Sequence, residues 1–175
     1  YSGIKNYAEV LEDKILIQYQ GQQFIGKIRG VSPENLTSQH EEKIIQNGKF
    51  TIQEDSIPFA LIGAQIQANL RIPITGIYNT IELYFPRKEA SVNNLNPLED
   101  FNIRNIQVNG ILTYEPEFDN LVLVPLNYAR DILGEPTKVS AIEIFLQSTP
   151  SINKAQQEFS KKLGPDFIVK NREQQ

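Results

Sequence analysis

Lys14–Tyr19 reads K-I-L-I-Q-Y and Phe24–Val31 reads F-I-G-K-I-R-G-V, with Gln20-Gly21-Gln22 between them. The first run is short and β-prone. In the second, Phe24, Gly26, Ile28 and Gly30 fall on one face and Ile25, Lys27, Arg29 and Val31 on the other. Two such runs joined by a glycine-containing turn predict a β-hairpin. Ser32-Pro33-Glu34-Asn35 ends it.

Beyond the hairpin, Leu36 to Gly48 is polar, with a short helix expected near Glu41 to Gln46. Phe59–Ile62 is a compact apolar run, read as a buried strand. Gly63 to Leu70 carries Ile66 and Leu70 four apart, the spacing of a one-striped helix, which Ile72-Pro73 should stop. Thr80–Phe85 reads as a strand closed by Pro86, which cannot donate to a ladder. Arg87 to Asn102 is a sixteen-residue polar stretch, more than a compact domain usually spends on a connection. Ile103 to Thr113 and Leu121 to Val124 are strand-like, and no internal repeat stands out.

Leu126, Ala129, Ile132 and Leu133 form a helical stripe opened by Pro125 and stopped by Gly134 and Pro136. Val139 to Gln147 is apolar on both faces apart from Glu143, which predicts a central, doubly buried strand. Thr149-Pro150 then opens a helix with Ile152, Ala155, Phe159 and Leu163 on one face. Phe167 to Lys170 is read as a last strand, completing a βαβ unit with parallel pairing. The expected fold class is therefore α+β with two lobes. A mixed α/β lobe is built from both chain ends (1–35 plus 125–175), and 36–124 is an inserted β-rich lobe.

Composition narrows the chemistry. The chain has 175 residues, a net charge of −4, one His, and no Cys, Met or Trp. A chain this long can bury roughly 70% of its unfolded surface, so it needs no metal or disulfide to fold. An acidic balance argues against a nucleic-acid backbone as partner. One His and no Cys remove most metal sites and the usual Ser-His or Cys-His catalysis. The absence of Met, with Tyr at position 1, is expected of a piece cut from a longer protein or of a sequence that has lost modified Met residues. No apolar run approaches the length of a membrane span.

Few motifs remain. Glu115-Pro116-Glu117-Phe118-Asp119 could hold Ca²⁺ or supply an acid/base pair. It fails the calcium-loop pattern, having Asn120 where Gly is needed and Leu126 where Glu is needed, and a solvated turn is the plainer reading. His40 lacks a second ligand nearby. Tyr78, Tyr84, Phe85, Tyr114 and Phe118 could form a sugar-stacking platform or belong to a half-buried sheet. No phosphate loop or nucleophile elbow is present. No catalytic residue, metal site or cofactor is expected.

An ordered series of segments resembles the extracytoplasmic domain of FtsX-like ABC-transporter permeases, in particular the lipoprotein-releasing (Lol-type) branch with its MacB-like periplasmic core. The series runs from Tyr7–Tyr19 through Gln23-Phe24, Ile28–Val31, Ile62–Ala64, Asn69-Leu70, Glu82–Pro86 and Val108–Ile111. Phe118-Asp119, Val124–Leu126, Ala129-Arg130, Leu133, Ala141–Ile144 and Val169–Arg172 complete it. The resemblance implies a periplasmic domain of an inner-membrane protein. One transmembrane helix would precede it and three follow, with a second permease subunit and a cytoplasmic ATPase as partners. In the Lol branch a loop after the strand ending in Pro captures a periplasmic lipoprotein carrier. The resemblance places that region at 87–102, with Asn94, Leu95, Asn96, Pro97 and Leu98 at its tip. Other functional readings stay open: a secreted or surface carbohydrate-binding module, and a hydrolase using Glu115, Glu117 or Asp119.

Overall fold

The computed structural model describes residues 4–36, 44–73, 79–88, 97–146 and 152–171. Two long strands, β1 (Ile4–Tyr19) and β2 (Gln22–Val31), form the expected hairpin. Gln20 and Gly21 both take positive φ, as the twist-matched two-residue turn requires. Strands β3 (Ile45–Gly48), β4 (Gln53–Glu54) and β5 (Ile57–Ile62) follow, then helix α1 (Ala64–Leu70). Next come β6 (Asn79–Pro86), a 3₁₀ turn over Pro97–Asp100, β7 (Phe101–Leu112) and β8 (Leu121–Pro125). Helix α2 (Leu126–Leu133), strand β9 (Ala141–Leu146) and helix α3 (Ile152–Leu163) complete the elements. The α+β class is therefore observed. Of the short helix expected near Glu41 to Gln46, 41–43 lie outside the described residues, Ile44 is helical, and Ile45 and Gln46 instead begin the strand along β7.

Contacts group the chain into two compact units, Ala8–Glu143 and Tyr1–Tyr7 with Ile144–Gln175. The expected lobe boundaries at 35/36 and 124/125 fall inside the first unit.

Within that unit six strands pair in a closed ring. β1 pairs β2 and β6 antiparallel, and β6 pairs β7 antiparallel. β2 pairs β8 parallel, β8 pairs β5 antiparallel, and β5 returns to β7 in parallel. Closure gives each of these six strands a partner on both sides along part of its length. The connectivity is also internally repeated. The order β1-β2-β5-α1 recurs as β6-β7-β8-α2, and exchanging the two halves maps every ring pairing onto another of the same sense. Ile15, Ile17 and Tyr19 then match Ile81, Leu83 and Phe85, and Ile17 sits directly across from its counterpart Leu83.

Alternation decides which side chains face inward. Ile15, Ile17, Ile28, Ala60, Ile62, Ile81, Leu83, Ile106, Val122 and Val124 form one buried cluster, joined by Ile66 and Leu70 of α1 and Leu126, Ala129, Ile132 and Leu133 of α2. Helix α2 approaches β2 so closely that a Cβ on Gly30 would lie 2.4 Å from Ala129 Cβ. The opposite face, over β8, β5 and the ends of β1, β2 and β7, carries Val10, Val31, Leu61, Leu112, Leu121 and Leu123. It is covered by Leu36, Ile44, Phe50 and Ile52.

Two expectations near the C-terminus are corrected. β9 pairs β1, but it is not a doubly buried central strand: Ile142 is 57% and Phe145 42% exposed. Second, 167–170 forms no strand, so no βαβ unit is completed. In place of a ladder, Gln156 Nε2 on α3 donates to the carbonyl of Val169 at 2.8 Å. Gly164 in the left-handed conformation ends the helix at the predicted place.

Candidate functional site

The polar stretch singled out in the sequence is the connection of the β6–β7 hairpin. Pro86 pairs with Phe101, and the Arg87 N–H donates to the carbonyl of Asp100 at 2.7 Å, so the two legs stay paired to the root of the connection. Of the expected partner-binding residues, Pro97 and Leu98 lie in the 3₁₀ turn at that root. Asn94, Leu95 and Asn96 lie outside the described residues, and the structure does not test a binding role for any of the five.

The hairpin root is fastened to the C-terminal end of α2. Gly134 caps this helix with φ of 64°. The Asn102 amide donates to the Ile132 carbonyl at 3.0 Å, satisfying one of the acceptors that a helix end leaves open. Arg104 Nε donates to Asp131 Oδ2 at 2.6 Å. Glu135 Oε1 accepts from Lys88 Nζ at 2.5 Å and lies 3.5 Å from Lys138 Nζ. Apart from Glu135 and Lys138, three residues apart, these partners are distant in sequence, and nothing in the one-dimensional pattern pairs them. The hydrogen bond from Lys88, with its charge and that of Lys138, holds the Glu135 carboxyl below its ordinary value of 4.5.

A depressed carboxylate contributes its interaction above its ordinary pKa and loses it as pH falls through the depressed value. The Lys88–Glu135 tie should therefore persist through pH 4.5 and open only under more acid conditions. A carbon-13 titration of the Glu135 carboxyl should give a midpoint below 4.5, and Lys88→Met should move it up. A wild-type midpoint at or above 4.5 would contradict the pairing.

Near the middle of β6, the Tyr84 hydroxyl donates to Glu82 at 2.6 Å, and this bond raises the phenol pKa. Tyr128 on α2 is raised much further, chiefly by burial, with its hydroxyl 3.3 Å from the Asn105 carbonyl. A phenol pushed upward is a poor base or nucleophile at neutral pH.

The acidic run forms a compact turn. The amides of Phe118 and Asp119 both donate to the Glu115 carbonyl. Glu115 and Glu117 are exposed, and among the described residues no group of three His, Cys, Asp or Glu could hold a metal. The turn's backbone does structural work: the Asp119 carbonyl accepts from Gln65 and Ile66 at the start of α1. His40 and Tyr78 lie outside the described residues. The remaining aromatic residues do not share one face. Tyr84 points outward beside Ile103, Phe85 packs toward the ring interior, and Phe118 packs on the outer cluster.

Among solved structures, the extracellular domain of the noncanonical ABC-type transporter YknZ from Gram-positive bacteria matches 93% of this chain and 78% of its own, with a TM-score of 0.59 and 13% identity. The periplasmic region of MacB from Actinobacillus actinomycetemcomitans matches 93% of this chain and 67% of its own, with a TM-score of 0.61 and 10% identity. The fold is that of ABC-transporter extracytoplasmic domains. No family model matches the sequence, and no curated protein matches it either. No helix among the described residues is long and apolar enough to cross a membrane.

Proposed function

We propose that this chain is the extracytoplasmic domain of an ABC-transporter permease, passing ATP-driven conformational change to a substrate or carrier outside the membrane. The observation that carries the reading is the fold likeness over 93% of the chain to two such domains. The domain would work with a second permease subunit and a cytoplasmic ATPase, held in the inner membrane by helices of the parent protein and facing the periplasm. In its narrower form the partner is a periplasmic lipoprotein carrier met by Asn94–Leu98. The fastened hairpin root supports that form, because it fixes the two points at which the connection leaves the sheet.

The test uses the full gene product in membranes. Protease added outside spheroplasts should cut within 8–143, and the ATPase should co-purify with the permease. A product confined to the cytosol would end the proposal. Deleting 94–98 should leave both results intact and cause an outer-membrane lipoprotein to be retained in the inner membrane. Normal lipoprotein sorting in that variant would remove the narrower form and leave the broader one standing.

A further inference from the structure

Among the described residues, the outer cluster reaches β8, β5, Val10 of β1, Val31 of β2 and Leu112 of β7, and leaves the middle of β2, β1, β6 and β7 outside it. There the register lines up an apolar row across four strands. Ile25 lies opposite Leu16, Leu16 opposite Tyr84, and Tyr84 opposite Ile103. Phe101 meets the Tyr84 ring edge-on at 6.3 Å. Ile25 is 70% exposed and the other three are half-buried. One flank of the row is amide-rich, with Gln23 opposite Gln18 and Gln18 opposite Glu82.

The other flank is basic. Lys14 and Lys27 lie directly opposite each other, an arrangement that destabilises an antiparallel pair. It is only weakly relieved. Lys27 Nζ stands 3.7 Å from Glu12, and the same carboxylate already takes Arg29 Nε at 2.8 Å. Lys14 makes no ion pair among the described residues. In a chain of net charge −4, two facing lysines beside an uncovered apolar row form a local positive site that the fold itself does not need.

We infer that the outer face of β2-β1-β6-β7 docks a protein segment whose apolar side chains cover Ile25, Leu16, Tyr84 and Ile103 and whose carboxylates meet Lys14 and Lys27. A bilayer fits less well, because a flat, half-buried row offers only Ile25 for insertion, whereas membrane association scales with the apolar area inserted. The inference rests on register and charge, and is independent of the transporter reading.

Methyl NMR of this chain tests it with three probes. The first is a synthetic peptide with an apolar half of Leu and Ile and an acidic half of Asp. The second is the same peptide with Lys replacing Asp, and the third is phosphatidylglycerol vesicles. The acidic peptide should shift the Ile25, Leu16 and Ile103 methyls. Lys14→Glu combined with Lys27→Glu should weaken it about tenfold or more, as should Ile25→Asp, with unchanged melting temperature. No methyl shifts with the acidic peptide would overturn the inference, as would equal binding of the lysine peptide. Ile25-dependent attachment to vesicles without peptide binding would assign the face to a membrane instead.

Discussion

Gly63→Ala should lower the stability of the 8–143 unit more than any other single-methyl addition. The new Cβ would stand 2.0 Å from the Phe118 carbonyl oxygen and 2.3 Å from that of Asp119. Both are backbone atoms of a hydrogen-bonded turn, not tips of side chains that can swing away. Gly63 has an ordinary extended conformation (φ −67°), so the cost is steric and not torsional. Overpacking alone costs about 1–3 kcal/mol. Moving the turn would also stretch the Gly63 N–H bond to Leu121 and the two amides of α1 that rely on the Asp119 carbonyl. Because α1 has no side-chain N-cap, those bonds have no substitute, and each is worth about 1 kcal/mol. A denaturant midpoint unchanged in Gly63→Ala would show that the turn and α1 are not in this contact.

The second large effect is expected where the two halves meet. Ile17 and Leu83 are both fully buried and face each other across the β1–β6 pairing. Truncating either to alanine should cost about 2–5 kcal/mol, the transfer term plus a cavity that the ring is too constrained to collapse. The pair should also be coupled. Once one side chain is gone, the other has lost its partner, so the double variant should cost less than the sum of the two singles, by about 0.5–3 kcal/mol. Strict additivity in urea unfolding would separate the two residues and contradict the observed register.

Much of this fold could be read from periodicity, and the exceptions have physical causes. The β1–β2 hairpin, β5, β6, β7, β8 and both helices of the first unit were legible because each carries its own turn residue or apolar period. β9 was not. Ile142, Ile144, Phe145 and Leu146 look like a buried strand, yet hydrophobicity reports what could be covered and not what is. The repeat is not legible in the sequence either. Its halves share only inward-facing positions such as Ile15-Ile17-Tyr19 and Ile81-Leu83-Phe85. Connections of very different length also separate matching strands, with Gln20-Gly21 in one hairpin answering 87–100 in the other. The ties at the root of that longer connection, from Lys88, Asn102 and Arg104 to the end of α2, depend on tertiary placement that no local pattern encodes. The outer apolar row is spread one residue per strand, so it exists only once the register is known.

The closed ring constrains when this domain can become native. Its seams are parallel pairings between distant segments: Lys27 lies against Leu121 and Phe59 against Gln107. The first cannot form until 121 of the 175 residues are available and the second until 107 are, and the loop entropy must be met before they stabilise anything. A folding time in the range of milliseconds to seconds is the expected outcome. During synthesis the β1–β2 hairpin must wait with both outer edges open. A chain delivered N-terminus first across a membrane would thus emerge unclosed and complete its ring only on the far side.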